Sequence, residues 1–250
     1  EYLPIYVGPI IVFLFLPNML ARIGDLVQRE SITSLSDFLA ARYGKSRTLA
    51  ALATLAAVTA SLPYISLQLK SVGWSFQALV FDAGSGGRIP PNETVLITSV
   101  VLAIFAILFG ARTVDTTRTN AGLMRVLAFE AIVKLLALVA VCVLSVFLLV
   151  GDGEPLTEMA SNPFKSDVSI PSFVTVVIVA MGVIVCLPRQ FHVTFIERRR
   201  PEELKRARWL FPVYLVLTSL VIIPITLAGL QFVPADVPAD LYVLALPLQH

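Results

Sequence analysis

Long apolar stretches separated by short polar segments dominate the chain. Five stretches contain no charged residue, and each is close to the ~20 residues (about 17–25) that a helix needs to cross a hydrocarbon core. They are Tyr2 to Ala21, Leu49 to Leu69, Thr94 to Ala111, Val168 to Pro188 and Trp209 to Ala235. A sixth stretch, Val126 to Gly151, is equally apolar apart from Glu130 and Lys134. The pattern predicts an all-α, polytopic transmembrane helix bundle with six spans.

The second apolar stretch is too long for an ordinary span. It continues from Leu49 to Phe81, 33 residues, or roughly 50 Å of helix against a hydrocarbon core of about 30 Å. We therefore expect strong tilt or a bend at Pro63. The polar residues that follow this proline are candidates for a lined substrate or ion pathway, namely Tyr64, Ser66, Gln68 and Lys70.

A simpler interpretation of the same residues is equally open. Lys70 can extend its amine to a wetter region, and Gln68 can hydrogen-bond a neighbouring helix. In both interpretations we expect Gln68 to face the protein interior, because an unpaired amide facing lipid is unfavourable.

The fifth stretch contains a second irregularity, with Gly182 in its middle and Pro188 at its end. Glycine lowers the cost of leaving the helix, and proline removes a donor and clashes with the carbonyl four residues earlier. We expect regular helical bonding to be lost between Gly182 and Pro188. Arg189, Gln190 and His192 would then line the cytoplasmic mouth of a hydrated cavity. The alternatives are a mild proline kink or a plain helix end at the interface.

The first polar segment contains a predicted short helix. Ser34 or Ser36 can cap a helix from Asp37 to Tyr43, and Gly44 can end it. No linker or change of composition divides the chain, so residues 1–250 are treated as a single membrane domain. We expect this domain to be a fragment that begins and ends inside a longer protein.

Composition and charge support a membrane protein and predict its orientation. Only 14% of residues are charged and 57% are apolar, whereas soluble domains are about 25% charged. Segments 22–48, 112–125 and 189–208 carry five, three and seven Lys or Arg residues, and the intervening segments 82–93 and 152–167 carry one each. Because cytoplasmic loops carry the positive excess, both chain ends are predicted to lie outside.

The basic run at residues 197–208 is interpreted as a solvated cytoplasmic loop that can contact anionic membrane lipid. Positive-inside topology explains the basic loops without any nucleic-acid partner.

The chemistry of the remaining polar residues argues against an enzyme. Glu130 and Lys134 are four residues apart, so they can form an intramembrane ion pair, with a coupling-ion relay as the alternative. The chain has two histidines, and its sequence shows no phosphate-binding glycine loop, Cys/His metal cluster or nucleophile elbow. No catalytic residue is therefore assigned.

Four blocks of sequence resemble the sodium/solute symporter family, and they occur in the family's order. The first is Ser34-Leu35-Ser36-Asp37-Phe38-Leu39-Ala40-Ala41-Arg42-Tyr43, which is similar to the family's loop before a long span. The others are Tyr64 to Lys70, Phe109 to Arg112 with Gly122 to Met124, and Leu187 to His192. The last block, with Ala207 to Pro212 after it, looks most like symporter domains fused to sensor histidine kinases.

The resemblance implies a LeuT-type core of two inverted repeats, in which the six spans would be core helices two to seven. It implies sodium-coupled transport of a small organic solute, an amino acid or a carboxylate, across the cytoplasmic (inner) membrane. Sodium would be the coupling ion, with no other cofactor, and most of its ligands would come from helices outside this chain. The alternative is a symporter-like sensory input domain of a membrane histidine kinase, with the kinase module beyond the C-terminus. An unrelated six-span protein is the third possibility.

Overall fold

The computed structural model describes residues 3–80, 91–110, 121–151, 169–198, 200–234 and 237–249. Within these ranges the regular elements are all helical. The α-helices are α1 (Leu3–Phe15), α2 (Pro17–Arg29), α3 (Leu35–Arg42), α4 (Arg47–Val80), α5 (Pro91–Phe105), α6 (Ala121–Gly151), α7 (Ile170–Cys186), α8 (Pro188–Phe191), α9 (Pro201–Phe232) and α10 (Tyr242–Gln249). Two π-helical segments, Ala106–Gly110 and His192–Ile196, and a 3₁₀ segment, Ala239–Leu241, extend or connect them.

Three helices in the described residues are long and apolar enough to cross a membrane: α4, α6 and α9. Two further spans arise if each of two bent pairs counts as one, namely α1 with α2 and α7 with α8 and its π-helical extension. The third predicted span corresponds to a shorter apolar helix, Glu93–Leu108. The fold is therefore a helical bundle consistent with a multi-pass membrane protein, with three to five candidate spans in the part described.

The first span is shorter than predicted. Helix α1 ends at Phe15 instead of continuing to Ala21, and α2 leaves at 79° to it after Leu16. Pro17 cannot donate to the carbonyl of residue 13 but is well suited to the first position of a new helix. Helix α2 is amphipathic, with Leu20, Gly24 and Val27 on its buried side.

The first polar segment folds nearly as its sequence predicts. Ser34 Oγ accepts a hydrogen bond from the Asp37 amide at 3.1 Å, so Ser34 is the N-cap of α3. In return, Asp37 Oδ2 accepts from the Thr33 amide at 3.1 Å, which resembles a capping box. The helix therefore starts at Leu35, two residues earlier than predicted. Gly44 adopts φ +67° and ends the segment.

The second span has the unusual length that the sequence predicts. Helix α4 contains 34 residues and is not interrupted at Pro63. The carbonyl four residues before Pro63 loses its N–H donor, but the helix continues without a break. A proline inside a helix nevertheless costs free energy and favours a kink.

Two hydrophobic clusters hold the bundle together. One surrounds Phe191 and Phe195 and joins α1, α2, α7 and α9. The other joins α6, α9 and α10 around Leu149 and Leu246. Helices α1 and α7 cross closely, since a Cβ at Gly8 would lie 2.6 Å from that of Ala180. In the most apolar 18 residues of α4, in contrast, no residue is buried.

Candidate functional site

The second helix break lies at Leu187, between α7 and α8. The Leu187 amide donates to the Val183 carbonyl at 3.0 Å, and the next turn begins with the Phe191 amide donating to Leu187 at 2.9 Å. Leu187 itself is extended, with φ −82° and ψ 125°, and the two pieces meet at 55°. The predicted discontinuity is confirmed at its proline end. At Gly182 the α-helix is regular, so that part of the prediction is wrong.

Part of the predicted polar set meets on an outer face of the bundle. Arg189 Nη1 donates to the Tyr64 hydroxyl at 3.5 Å. Lys134 Nζ lies 2.5 Å from Glu130 Oε1, and these two side chains are 65% and 49% exposed. The predicted ion pair is therefore present and is local to one helix face. A role in a pathway stays a prediction.

The remaining candidates on α4 are not enclosed. Ser66, Gln68 and Lys70 are all exposed, and Lys70 Nζ lies 4.7 Å from the Trp74 ring centroid. The prediction that Gln68 faces the protein interior is wrong, because Gln68 is exposed in the part of the chain that the structure describes. The sequence of α4 alone does not predict which of its residues contact neighbouring helices.

A cavity of about 250 Å³ lies beside both helix breaks. Phe13 precedes the first break by less than a turn, and Ile184 precedes the second by less than a turn. Both side chains line the cavity, as does the predicted site residue Gln190. Its other polar lining comes from Thr194, Glu197, Arg198 and Glu203, and its other apolar lining from Met124, Val193, Leu204, Ala207 and Phe211.

His192 lies next to this cavity without lining it. Its Nε2 is 3.3 Å from Glu197 Oε1, and the two side chains are 46% and 4% exposed. The sequence placed His192 at a cavity mouth, whereas in the structure it contacts Glu197, whose carboxylate belongs to a residue of the cavity wall.

The sequence analysis missed an ion pair that joins α2 to the segment after the second π-helix, in which only the arginine is buried. Arg198 Nη2 donates to Asp25 Oδ1 at 2.7 Å, and the Arg198 side chain is only 3% exposed. Gln28 Nε2 donates to the Arg198 carbonyl at 2.7 Å. Gly24 leaves room for the guanidinium, since a Cβ there would lie 2.8 Å from Nη1. The solvated-loop interpretation of residues 197–208 is thus wrong for Glu197 and Arg198, which are buried.

A second arginine of the same basic run, Arg208, contacts the backbone at the first break. Arg208 Nη2 donates to the Leu14 carbonyl at 3.1 Å. Leu14 belongs to the last turn of α1, whose carbonyls lack partners within the helix. A cation there satisfies a carbonyl and also interacts favourably with the helix dipole. The sequence contains one signal for the contacts of Arg198. Asp25 and Gln28, which both contact it, are three residues apart and thus share a helix face.

Comparisons with known proteins do not extend this description: no protein-family model, curated protein or solved structure matches the chain.

Proposed function

We propose that the protein is a secondary transporter that moves a small organic solute across the membrane, with sodium as the coupling ion. The observation that carries the proposal is the pair of interrupted spans. Phe13 and Ile184, which shortly precede the breaks at Leu16 and Leu187, line one cavity, and the interrupted helices pack in a common cluster. Sodium coupling rests on the sequence resemblance.

Interrupted spans suit transport for a physical reason. A break within an apolar region exposes backbone groups that must find protein partners or water. At the second break, Pro188 has no N–H to offer the carbonyl of Ile184, whose side chain lines the cavity. Such groups can bind a solute or ion, and the short pieces beyond the breaks can move without unfolding a continuous helix.

The contacts between the two short pieces also suit opening and closing. Helix α2 is joined to the segment after α8 by the Asp25–Arg198 ion pair and by the Gln28 hydrogen bond. Asp25 is 51% exposed, so water can replace Arg198 around its carboxylate when the pieces separate. The two pieces also share the buried apolar cluster around Phe191 and Phe195, so the polar contacts are the part of this interface that water can replace.

Uptake into proteoliposomes tests the proposal. The full-length protein is reconstituted, and accumulation of radiolabelled amino acids and carboxylates is compared under inward sodium and inward potassium gradients. We expect at least one solute to accumulate above its external concentration only with sodium. Accumulation with either cation would remove sodium coupling and leave the transport proposal.

The break itself is tested with Pro188→Ala, which restores a donor for the Ile184 carbonyl. We expect slower uptake, whereas Pro171→Ala in the first turn of α7 should transport normally, because its N–H is not needed there. Solute binding without any uptake by the unmodified protein would overturn transport and favour a sensory input domain.

A further inference from the structure

Helix α2 leaves the first interrupted span in a direction that suits the membrane surface. It meets α1 at 79°, so an α1 that runs roughly along the membrane normal brings α2 close to the membrane plane. The 13 residues of α2 include Arg22, Asp25 and Arg29, and such charges are costly in the hydrocarbon core. Direction and composition together are typical of a helix that lies at the boundary between hydrocarbon and water.

The face of α2 that points away from the bundle carries an apolar stripe beside a basic stripe. Met19 and Leu26 are seven residues apart, as are Arg22 and Arg29, so each pair lies nearly on one line along the helix. The two lines are about 60° apart around the axis, because Arg22 follows Met19 by three residues. All four side chains are exposed, whereas the opposite side of α2 is buried against the bundle.

The two arginines keep their charge available to a partner. Neither makes a hydrogen bond or an ion pair with another residue that the structure describes. Asp25, the carboxylate between them along the helix, accepts from Arg198. Glu30, the exposed C-cap residue, can compensate only one of the two guanidinium groups. An excess of positive charge therefore remains on the outer face of α2.

Exposed apolar and basic stripes side by side fit an anionic phospholipid. The apolar stripe leaves water when it enters the acyl boundary, and a guanidinium can make two parallel hydrogen bonds to a phosphate. Arg22 and Arg29 lie in segment 22–48, which is predicted to be cytoplasmic, and the cytoplasmic leaflet is anionic. Lipid is also the medium around α1, whose last residue, Phe15, is 75% exposed.

We propose that α2 is an interfacial helix that binds the headgroups of anionic phospholipids through Arg22 and Arg29. Met19 and Leu26 insert at the acyl boundary beside these headgroups. The inference does not depend on the proposed transport function, because none of these four residues lines the cavity.

Quenching by brominated lipids tests this contact. In a variant of the full-length protein, Leu26→Cys supplies the only cysteine and carries a bimane label, within one turn of both arginines. The protein is reconstituted in phosphatidylcholine vesicles that contain brominated phosphatidylglycerol or, at the same mole fraction, brominated phosphatidylcholine. We expect both lipids to quench the label, and phosphatidylglycerol to bind at least about fivefold more tightly. High salt should reduce this preference.

Two results of this measurement would overturn the inference. Absence of quenching by either lipid would place the outer face of α2 in water. Equal quenching by the two lipids would leave an apolar contact without recognition of the anionic headgroup.

Two double variants separate the basic stripe from net charge. Arg22→Gln with Arg29→Gln should lower the preference for phosphatidylglycerol to within about twofold. Arg42→Gln with Lys45→Gln removes the same charge from exposed positions at the end of α3 and should keep the preference. Equal losses in both variants would assign the effect to net charge and overturn the role of the stripe.

Inorganic phosphate distinguishes a lipid headgroup from a free anion. Phosphate added at constant ionic strength should leave the quenching by brominated phosphatidylglycerol unchanged, because it lacks the acyl chains that contact Met19 and the label. Displacement of the lipid by phosphate would assign the arginines to a soluble anion and overturn the inference.

Discussion

Arg198 and three glycines of the interrupted spans show how single residues determine packing. Gly24 admits the guanidinium, and Gly8 admits the backbone of α7 at Ala180. Gly182, by contrast, meets only the Cys186 sulfur of its own helix, at 4.0 Å. The same residue type therefore has opposite roles at these positions, which leads to a paired prediction.

Gly8→Ala should destabilise the protein, and Gly182→Ala should stabilise it. A Cβ at Gly8 would lie 2.6 Å from the Ala180 Cβ and 2.8 Å from its backbone carbonyl carbon, so the helices must separate, at a cost of about 1–3 kcal/mol. At Gly182 there is room, and alanine is favoured over glycine within a helix by about 0.5–1 kcal/mol. Thermal unfolding in detergent measures both. A loss of stability at Gly182 would contradict the regular helix seen there.

Asp25→Asn should destabilise the contact between α2 and Arg198. The substitution leaves a buried guanidinium without its charge partner, and we expect a loss of about 1–3 kcal/mol, reduced by the partial exposure of Asp25. Glu30→Gln at the exposed end of α2 is the control. In a double-mutant cycle, Asp25→Asn should cost much less when Arg198 is already methionine. Additive effects would show that the pair does not interact.

At the scale of helices, proline alone does not decide where a span is interrupted. Pro9, Pro63, Pro212 and Pro224 all lie inside continuous helices. The two interruptions instead precede Pro17 and Pro188, each of which is the first residue of the next helix. Polar residues after a proline do not distinguish these positions, because Tyr64 and Ser66 follow Pro63. The helix after the break can then turn toward a polar surface. Its proline occupies the first turn, where a backbone N–H would have no partner within the helix.

Pro188→Ala should straighten the junction of α7 and α8. Spin labels at exposed Val174 and His192 would be about 27 Å apart along one straight helix, and a 55° bend shortens this distance. Double electron–electron resonance should therefore show a longer distance in the variant. Pro171→Ala, in the first turn of α7, should leave the distance unchanged. An unchanged distance in Pro188→Ala would mean that packing of Phe191, not proline, maintains the bend.

Arg208→Gln should destabilise the first break. The substitution removes the charged donor to the Leu14 carbonyl, and a hydrogen bond to a charged group contributes about 1.5–3 kcal/mol. Arg206→Gln, an exposed residue two positions earlier, is the matched control. Thermal unfolding of both variants, compared at equal detergent concentration, measures the difference. Equal stability of the two variants would contradict a capping role for Arg208.

At the scale of the whole molecule, the distribution of basic residues predicts the orientation in the membrane. Of the 19 Lys and Arg residues, 15 lie in alternate polar segments on one side. Arg198 and Arg208 show that some of these also make tertiary contacts. Asp25, the partner of Arg198, lies in the basic segment 22–48. This contact therefore joins two segments that are both predicted to be cytoplasmic.

Cysteine labelling tests that orientation. Cys142 and Cys186 are first replaced by alanine, and Ser161→Cys and Lys205→Cys are made separately. A membrane-impermeant reagent should reach position 161 in intact cells and position 205 only after permeabilisation. Ser161 lies outside the described residues, so the experiment rests on the charge count. The reverse labelling pattern would invert the predicted topology.

The sequence by itself determined the features that depend on neighbouring residues. Apolar length located the long helices, and Pro188 located the second break. Ser34, one of two predicted caps, and Gly44 located α3 to within two residues. The spacing of Glu130 and Lys134 gave their ion pair. Each of these depends on residues within about one helical turn, where spacing along the chain is also distance in space.

Only the tertiary structure decided which polar residues are buried and which are exposed. The Arg198–Asp25, Arg198–Gln28 and Arg208–Leu14 contacts join residues 173, 170 and 194 positions apart. Local patterns carry no information about such pairs, so an arginine in a basic run was interpreted as solvated and Gln68 as enclosed. The cavity depends on these same long-range contacts, because its wall is assembled from α1, α6, α7, α8 and α9. The cavity therefore exists only when these helices pack together.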